Sequence, residues 1–138
     1  MRIKTDLGLF PTVFAVLKGK NQVEREFIAL LSSSSDYCVI PRVDAYMLGY
    51  SEAVGDTITD IIARPPYITT LIGPGSFVDA PLITIDEVTV GSLIIKNVEF
   101  IAFDIPQETR IDVILGKSFL ERAKAKIDYA NKLVEFEG

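Results

Sequence analysis

One stretch decides the fold: Ala29-Leu30-Leu31-Ser32-Ser33-Ser34-Ser35-Asp36-Tyr37-Cys38-Val39-Ile40-Pro41. The apolar residues before Ser32 predict a strand, the four serines predict a polar turn, and the apolar residues before Pro41 predict a returning strand. A second informative stretch is Val113-Ile114-Leu115-Gly116-Lys117-Ser118-Phe119-Leu120, in which an aliphatic run ends at a glycine and leads into a short helix. Each stretch therefore indicates a buried strand that is followed directly by polar residues.

The remainder of the chain alternates apolar segments with turn residues, which is typical of a mostly β fold. Three pairs of segments predict hairpins: Phe10 to Lys18 with Val23 to Leu31, Tyr67 to Ile72 with Phe77 to Ile85, and Lys126 to Tyr129 with Leu133 to Phe136. Further extended segments are expected over Val88 to Val90, Ser92 to Val98 and Glu99 to Asp104. Because apolar residues occupy both faces of these segments, a closed or sandwiched β core is expected.

Two short helices are expected, over Arg42 to Gly49 and over Phe119 to Ala125. Ser118 and Glu121 have the spacing of a capping box, which predicts the start of the second helix. Residues 51–63 carry signals for both a helix face and an extended segment, and they receive no assignment.

Composition excludes several classes of site. The 138 residues carry a net charge of −5 and predict one globular domain over residues 1–138. The absence of histidine excludes a His-based catalytic triad and a His-containing zinc site, and the single cysteine excludes an internal disulfide. We expect no metal and no cofactor. An acidic chain lacks the basic surface that nucleic acids require, and no apolar run approaches the roughly 20 residues of a membrane span. A soluble cytoplasmic protein is therefore expected.

The two stretches, with the glycine-rich Gly73-Pro74-Gly75 between them, resemble the retropepsin-like (retroviral-type) aspartic proteases over about residues 10–136. That family has an apolar strand leading into Asp-Thr/Ser-Gly, a hairpin flap that closes over the substrate, and a later aliphatic-Gly-helix hallmark. The resemblance implies an all-β acid-protease barrel with one short C-terminal helix. It further implies a homodimer, whose interface forms the active cleft, and an extended peptide or protein as substrate or ligand.

This sequence departs from the family's Asp-Thr/Ser-Gly motif at the serine run. Ser32 stands in the slot of the family's catalytic aspartate, Ser33 in the Thr/Ser slot, and Ser34 in the glycine slot. Two aspartates that share a proton divide the roles of base and acid, whereas a serine hydroxyl does not ionise near neutral pH. The loss of general acid-base assistance costs roughly 10²–10⁴-fold in rate. The side chain of Ser34 is expected to crowd a bound peptide and to need unusual backbone angles.

The resemblance assigns a bracing role to Asp36 and Lys117. In the retroviral members, an aspartate in the position of Asp36 pairs with the basic residue after the second glycine, which is Lys117 in this sequence. The alternative is that both residues are solvated charges.

Four interpretations of the serine run remain open. The first is an aspartic endopeptidase domain that is inactive because Ser32 replaces the aspartate. The second is a non-catalytic homodimeric module that binds peptide or serves assembly. The third is a serine nucleophile activated by a lysine of lowered pKa, and the fourth is a polar turn unrelated to catalysis. Because serine stands at the positions of both the aspartate and the glycine, natural loss of the catalytic aspartate is favoured over a designed inactivation.

Overall fold

A computed structural model describes residues 2–4, 11–50, 67–73, 76–105 and 110–137. The strands and α-helices in these ranges are β1 (Arg2–Lys4), β2 (Thr12–Lys18), β3 (Glu24–Leu31), β4 (Cys38–Ile40), α1 (Arg42–Met47), β5 (Tyr67–Gly73), β6 (Ser76–Val90), β7 (Leu93–Ala102), β8 (Val113–Leu115), α2 (Lys117–Leu120), β9 (Lys126–Asp128) and β10 (Leu133–Glu135), and a 3₁₀ helix covers Lys20–Gln22. Residues 51–63, for which the sequence gives no assignment, lie outside these ranges.

Six strands close into a barrel in the order β2, β3, β8, β4, β7, β6, and a pairing between β2 and β6 completes the ring. That closing pairing is antiparallel and sets Val16 opposite Thr89. A closed ring leaves no unpaired strand edge. Strand β5 extends β6 outside the ring, and β1, β10 and β9 form a separate three-stranded sheet.

Strand β8 lies between the two strands that flank the serine run. It pairs with β3 in parallel, with Leu31 opposite Leu115, and with β4 in the antiparallel sense, with Val39 opposite Ile114. Strand β4 continues the sheet by pairing in parallel with β7. The chain therefore leaves the sheet at Leu31 and returns at Cys38 on the other side of β8.

The barrel interior is filled by alternating residues of its strands. In β2, Val13, Ala15 and Leu17 point inward, while Phe14 between them is 66% exposed. All three residues of β4 are buried, because Cys38 and Ile40 join the main core and Val39 joins a second apolar cluster outside it. The all-β barrel expected from the sequence is confirmed.

All three expected hairpins are present, as β2–β3, β5–β6 and β9–β10. Helix α1 ends before Gly49, whose positive φ of 97° suits the residue that follows a helix. None of the helices within the described ranges has the length and apolarity needed to cross a bilayer.

The expected bounds of the second helix are wrong. Helix α2 begins at Lys117, directly after Gly116, and residues 121–124 form turns. Ser118 therefore lies inside the first helical turn and makes no capping box with Glu121. Its hydroxyl is instead bonded to β4 and to Glu99, which are distant in sequence and outweigh the local capping pattern.

Candidate functional site

The serine run forms a tight polar turn at the end of β3. The backbone N–H of Ser35 donates to the carbonyl of Ser32 at 3.4 Å, which closes the turn over four residues. The N–H of Ser32 donates to the carbonyl of Leu115 at 3.1 Å, so the turn starts on the β8 ladder. Ser35 is fully buried, and its Oγ donates to the Tyr37 carbonyl at 2.6 Å.

The two stretches singled out by the sequence meet at this turn. Beyond the bond to Leu115, the N–H of Lys117 donates to the Ser35 carbonyl at 2.8 Å, and the N–H of Ser118 donates to the Asp36 carbonyl at 3.1 Å. Three backbone hydrogen bonds thus hold residues 32–36 against residues 115–118. We call this contact between residues 32–36 and residues 115–118 the joint. Since backbone groups make its hydrogen bonds, the joint does not depend on which side chain occupies position 32.

Gly116 is required by the closeness of this joint. A Cβ atom built on Gly116 would lie 2.6 Å from the carbonyl oxygen of Ser35 and would also overlap the carbonyl of Tyr37. Real Cβ atoms do not approach backbone so closely, and these carbonyls are fixed by the surrounding hydrogen bonds. Only glycine lets the start of α2 pack directly on the turn.

Ser118 links the joint to the barrel. Its Oγ accepts a hydrogen bond from the Cys38 N–H at 3.0 Å and donates to the Glu99 carbonyl at 2.7 Å. This role is not predicted by the sequence pattern, because the spacing of Ser118 and Glu121 indicates a helix cap. The signal available was only the presence of a hydroxyl two residues after Gly116.

The side chains of Asp36 and Lys117 approach each other, with Lys117 Nζ 3.8 Å from Asp36 Oδ1. Both side chains are nearly half exposed, at 45% and 47%. An ion pair of this exposure contributes little to stability by itself. The bracing role of the pair stays a prediction.

The first three serines differ in accessibility. Ser32 is partly buried, whereas Ser33 and Ser34 are exposed. Ser34 does not have a positive φ, so the unusual backbone expected for a residue in the glycine slot is absent. The backbone of the turn therefore accommodates serine at position 34 without strain from a positive φ.

The β5–β6 hairpin occupies the position along the chain that was expected for a flap. Its strands pair from Tyr67 opposite Pro81 to Gly73 opposite Ser76, with a register shift between Leu71 and Gly73. Pro74 and Gly75, the other two residues of the expected tip, lie outside the described residues. The flap role of Gly73, Pro74 and Gly75 stays a prediction.

A second apolar cluster lies outside the barrel core, on strands that adjoin the turn. Val39, Ala80 and Ile101 are buried in it. Partly buried residues pack around these three, namely Tyr37, Ile68, Val78, Leu82, Phe103, Ile105 and Ile114. The cluster joins the β5–β6 hairpin to β4 and β8, so an apolar surface extends from the hairpin toward the serine turn.

The chemistry available at the turn is limited. Serine hydroxyls provide hydrogen bonds but no acid-base pair, and the carboxylate of Asp36 lies beside Lys117. Complete burial raises the pKa of the Cys38 thiol to about 12, so Cys38 is a core residue, as expected, and not a nucleophile. Within the described ranges, no three His, Cys, Asp or Glu side chains converge as a metal site would require.

No protein-family model matches the sequence, and no curated protein matches it either. Solved structures do match. One is a retropepsin-like aspartic protease from Rickettsia conorii, with 20% identity, a TM-score of 0.60, and coverage of 97% of this chain and 85% of that one. Another is the retroviral protease-like domain of Ddi1 from Leishmania major, with 16% identity, a TM-score of 0.53, and coverage of 96% of this chain and 91% of that one.

Proposed function

Proceeding from a retropepsin-like fold, we propose that this chain is an aspartic endopeptidase domain by descent and that it does not hydrolyse peptides, because Ser32 occupies the slot of the catalytic aspartate. The observation that carries the proposal is the joint between the serine turn and residues 115–118. Three backbone hydrogen bonds and the close packing of Gly116 support the equivalence of this turn with the family's active-site turn.

The absence of activity follows from the residues present. Hydrolysis by an aspartate pair needs one group to take a proton from water while the other protonates the substrate carbonyl. Ser32 supplies neither function, and a homodimer doubles the deficiency because each copy contributes the same turn. The carboxylate of Asp36 does not replace the missing group, since it lies against Lys117.

The experiment that tests this proposal restores the aspartate. The variants are Ser32→Asp and the double change Ser32→Asp with Ser34→Gly, assayed for peptide cleavage at acidic pH with and without pepstatin. Ser33→Asp is the matched control, because it adds the same carboxylate one residue away on an exposed position. We expect pepstatin-sensitive cleavage only from the variants that carry the aspartate at position 32. Cleavage by the unmodified chain would overturn the proposal.

A second candidate function is peptide binding without chemistry, by a homodimer on the same fold. The specific observation that favours it is the second apolar cluster, whose partly exposed members include Ile68 in the β5–β6 hairpin, Ile114 in β8 and Tyr37 just after the turn. An extended peptide could place apolar side chains there and pair its backbone with a strand edge. If the restored variants fold but stay inactive, and an apolar peptide library still binds the unmodified chain, this function is the one supported.

A further inference from the structure

The four hydroxyl groups of the serine turn differ in how far they are open to modification. Ser33 and Ser34 occupy the middle of the turn and are exposed. Ser32 is partly buried, and the hydroxyl of the buried Ser35 is bonded to the Tyr37 carbonyl. The Ser33 hydroxyl has no hydrogen-bond partner within the described ranges. An enzyme that modifies the folded chain therefore reaches only Ser33 and Ser34.

Ser33 differs from Ser34 because it lines a basic depression. This depression has a volume of about 420 Å³, and Lys117 and Lys124 line it together with Ser33. Lys117 makes a half-exposed ion pair at 3.8 Å, whereas the Lys124 ammonium group has no ion pair within the described ranges. Glu121 also lines the depression. Among the described lining residues, two ammonium groups and one carboxylate therefore give a net charge of +1.

We propose that Ser33 is a phosphorylation site and that Lys117 and Lys124 bind its phosphate group. A phosphoserine carries about −1.5 to −2 charges at pH 7 and three acceptor oxygens, and it orders a segment that lies opposite cations. Its double charge attracts Lys117 more strongly than the single charge of Asp36 does. This site goes beyond the proposed function and does not depend on it, because it requires neither a homodimer nor a bound peptide.

The phosphoryl donor is ATP, and the catalyst is a separate Ser/Thr protein kinase. The Ser33 Oγ attacks the γ-phosphorus of ATP, the bond from that phosphorus to the β,γ-bridging oxygen breaks, and ADP leaves with the electron pair. The hydroxyl proton passes to the catalytic base of the kinase. Asp36 follows Ser33 by three residues, and its half-exposed carboxylate provides a charge that a kinase with a basic substrate groove selects.

The bound phosphate should add an acid-sensitive contact across the joint. Its second pKa is about 6 in an unfolded chain. Lys117 and Lys124 favour the dianion and lower that pKa in the folded chain, whereas Glu121 and Asp36 raise it. The phenol of Tyr129, which also lines the depression, can donate a hydrogen bond to the phosphate. Because the folded pKa is the lower one, the contribution to stability is present above about pH 6 and is lost as the pH falls through the folded value.

The first measurement locates the phosphate that a kinase adds to the folded chain. The chain is incubated with MgATP and a Ser/Thr protein kinase that selects acidic sequences, and tandem mass spectrometry identifies the modified residue. We expect one phosphate, on Ser33, both in the unmodified chain and in the matched control Ser34→Ala. Ser33→Ala should lose the phosphate, and Asp36→Asn should gain it more slowly. A phosphate on Ser34, or none on Ser33, would overturn the proposal.

The second measurement tests the two lysines and needs no kinase, because phosphoserine is incorporated at position 33 during synthesis of the full chain. Phosphorus NMR titration gives the phosphate pKa in the folded chain and in urea. We expect the folded pKa to be lower by about 0.2–0.7, the range that exposed ion pairs produce. Lys124→Gln should reduce this difference, and Glu121→Gln should increase it. Lys96→Gln is the control, since Lys96 is exposed on β7 and is not among the residues that line the depression.

Phosphoserine incorporated at position 34 provides a further control. Ser34 is not among the lining residues, so the pKa of its phosphate should be the same in the folded chain and in urea. Equal pKa values for the phosphate at position 33 in the two conditions would overturn its binding by the lysines. That result would leave the proposed function in place, because the cleavage assay uses chains without phosphate. Cleavage by the unmodified chain would, conversely, leave the phosphorylation site in place.

Discussion

The hydroxyl of Ser118 joins two strands of the barrel, because it accepts a hydrogen bond from the Cys38 N–H at 3.0 Å and donates one to the Glu99 carbonyl at 2.7 Å. Through this one side chain, helix α2 is tied to β4 and to β7. Each hydrogen bond of this kind contributes about 0.5–1.5 kcal/mol, and a group left without its partner costs about 1–3 kcal/mol.

Ser118→Ala should therefore lower the free energy of unfolding by about 1–3 kcal/mol, because the Cys38 N–H loses its acceptor. Urea unfolding at neutral pH measures the change. Ser33→Ala, which removes the hydroxyl of an exposed serine, should stay within about 0.5 kcal/mol of the unmodified protein. Equal urea midpoints for the two variants would show that the hydrogen bonds of Ser118 contribute nothing to the free energy of unfolding.

Gly116→Ala should be more damaging than any single change of a serine in the turn. The added Cβ would lie 2.6 Å from the Ser35 carbonyl oxygen, which already accepts the Lys117 N–H. Relief requires backbone movement, so we expect a loss of about 3 kcal/mol, the upper end for overpacked sites. Thermal unfolding by circular dichroism measures it, and an unchanged melting temperature would mean that the joint is looser than its hydrogen bonds indicate.

The pair of Asp36 and Lys117 should be weakly coupled. A double-mutant cycle with Asp36→Asn and Lys117→Met should give a coupling of about 0.2–1 kcal/mol at low salt, the range of exposed ion pairs. The coupling should decline as salt screens the charges. A coupling of zero at low salt would favour two solvated charges over a brace.

Cys38 should resist thiol reagents in the folded protein. Burial raises its pKa from 9.0 to about 12, so the reactive thiolate is scarce at pH 8. Labelling with a chromogenic disulfide at pH 8 should be negligible until urea unfolds the chain. Because the folded pKa is the higher one, this residue's contribution to stability is full below pH 9 and is lost as the pH rises toward 12. Rapid labelling without urea would contradict the buried position.

Asp44 should make stability depend on pH. Burial raises the pKa of its carboxyl above 3.8, the Arg25 guanidinium 3.5 Å away lowers it, and Asp112 and Asp104 raise it further. The fold thus favours the protonated form, and that contribution is present below pH 3.8 and is lost as the pH rises through the folded value.

The stability of Asp44→Asn relative to the unmodified protein should therefore increase between pH 3 and pH 7, measured by urea unfolding at several pH values. Arg25→Gln should have the opposite effect, because removing the guanidinium takes away the group that lowers the pKa of Asp44. A relative stability of Asp44→Asn that does not vary with pH would contradict the raised pKa.

The strands of the barrel could be predicted from the sequence because their signal is local. The continuous run of β-branched and aromatic residues in β2 favours an extended strand without reference to any other element, although it does not reveal that Phe14 faces outward between Val13 and Ala15. Helix α2 could not be placed correctly for the opposite reason. The hydrogen-bond partners of Ser118 lie 80 and 19 residues away in the sequence, whereas a capping box involves only residues three positions apart.

The candidate site shows the same division. The family resemblance predicts a pair between Asp36 and Lys117, but the backbone hydrogen bonds from Lys117 and Ser118 to the turn arise from tertiary structure and were not predicted. Nor can four identical serines reveal that Ser35 is the buried one. Its burial follows from the return of the chain beneath residues 115–118, which depends on how β8 inserts between β3 and β4.

The most direct test of the central claim, that Ser32 in place of an aspartate abolishes hydrolysis, is the pH dependence of peptide cleavage. The unmodified chain and the variant with Ser32→Asp and Ser34→Gly are compared between about pH 3 and pH 7. We expect no cleavage by the unmodified chain at any pH, and a bell-shaped, pepstatin-sensitive profile on the acidic side for the variant, because two coupled carboxyl groups must share one proton. An acidic cleavage profile from the unmodified chain would contradict the account, since it would require a catalytic group other than the one missing at position 32.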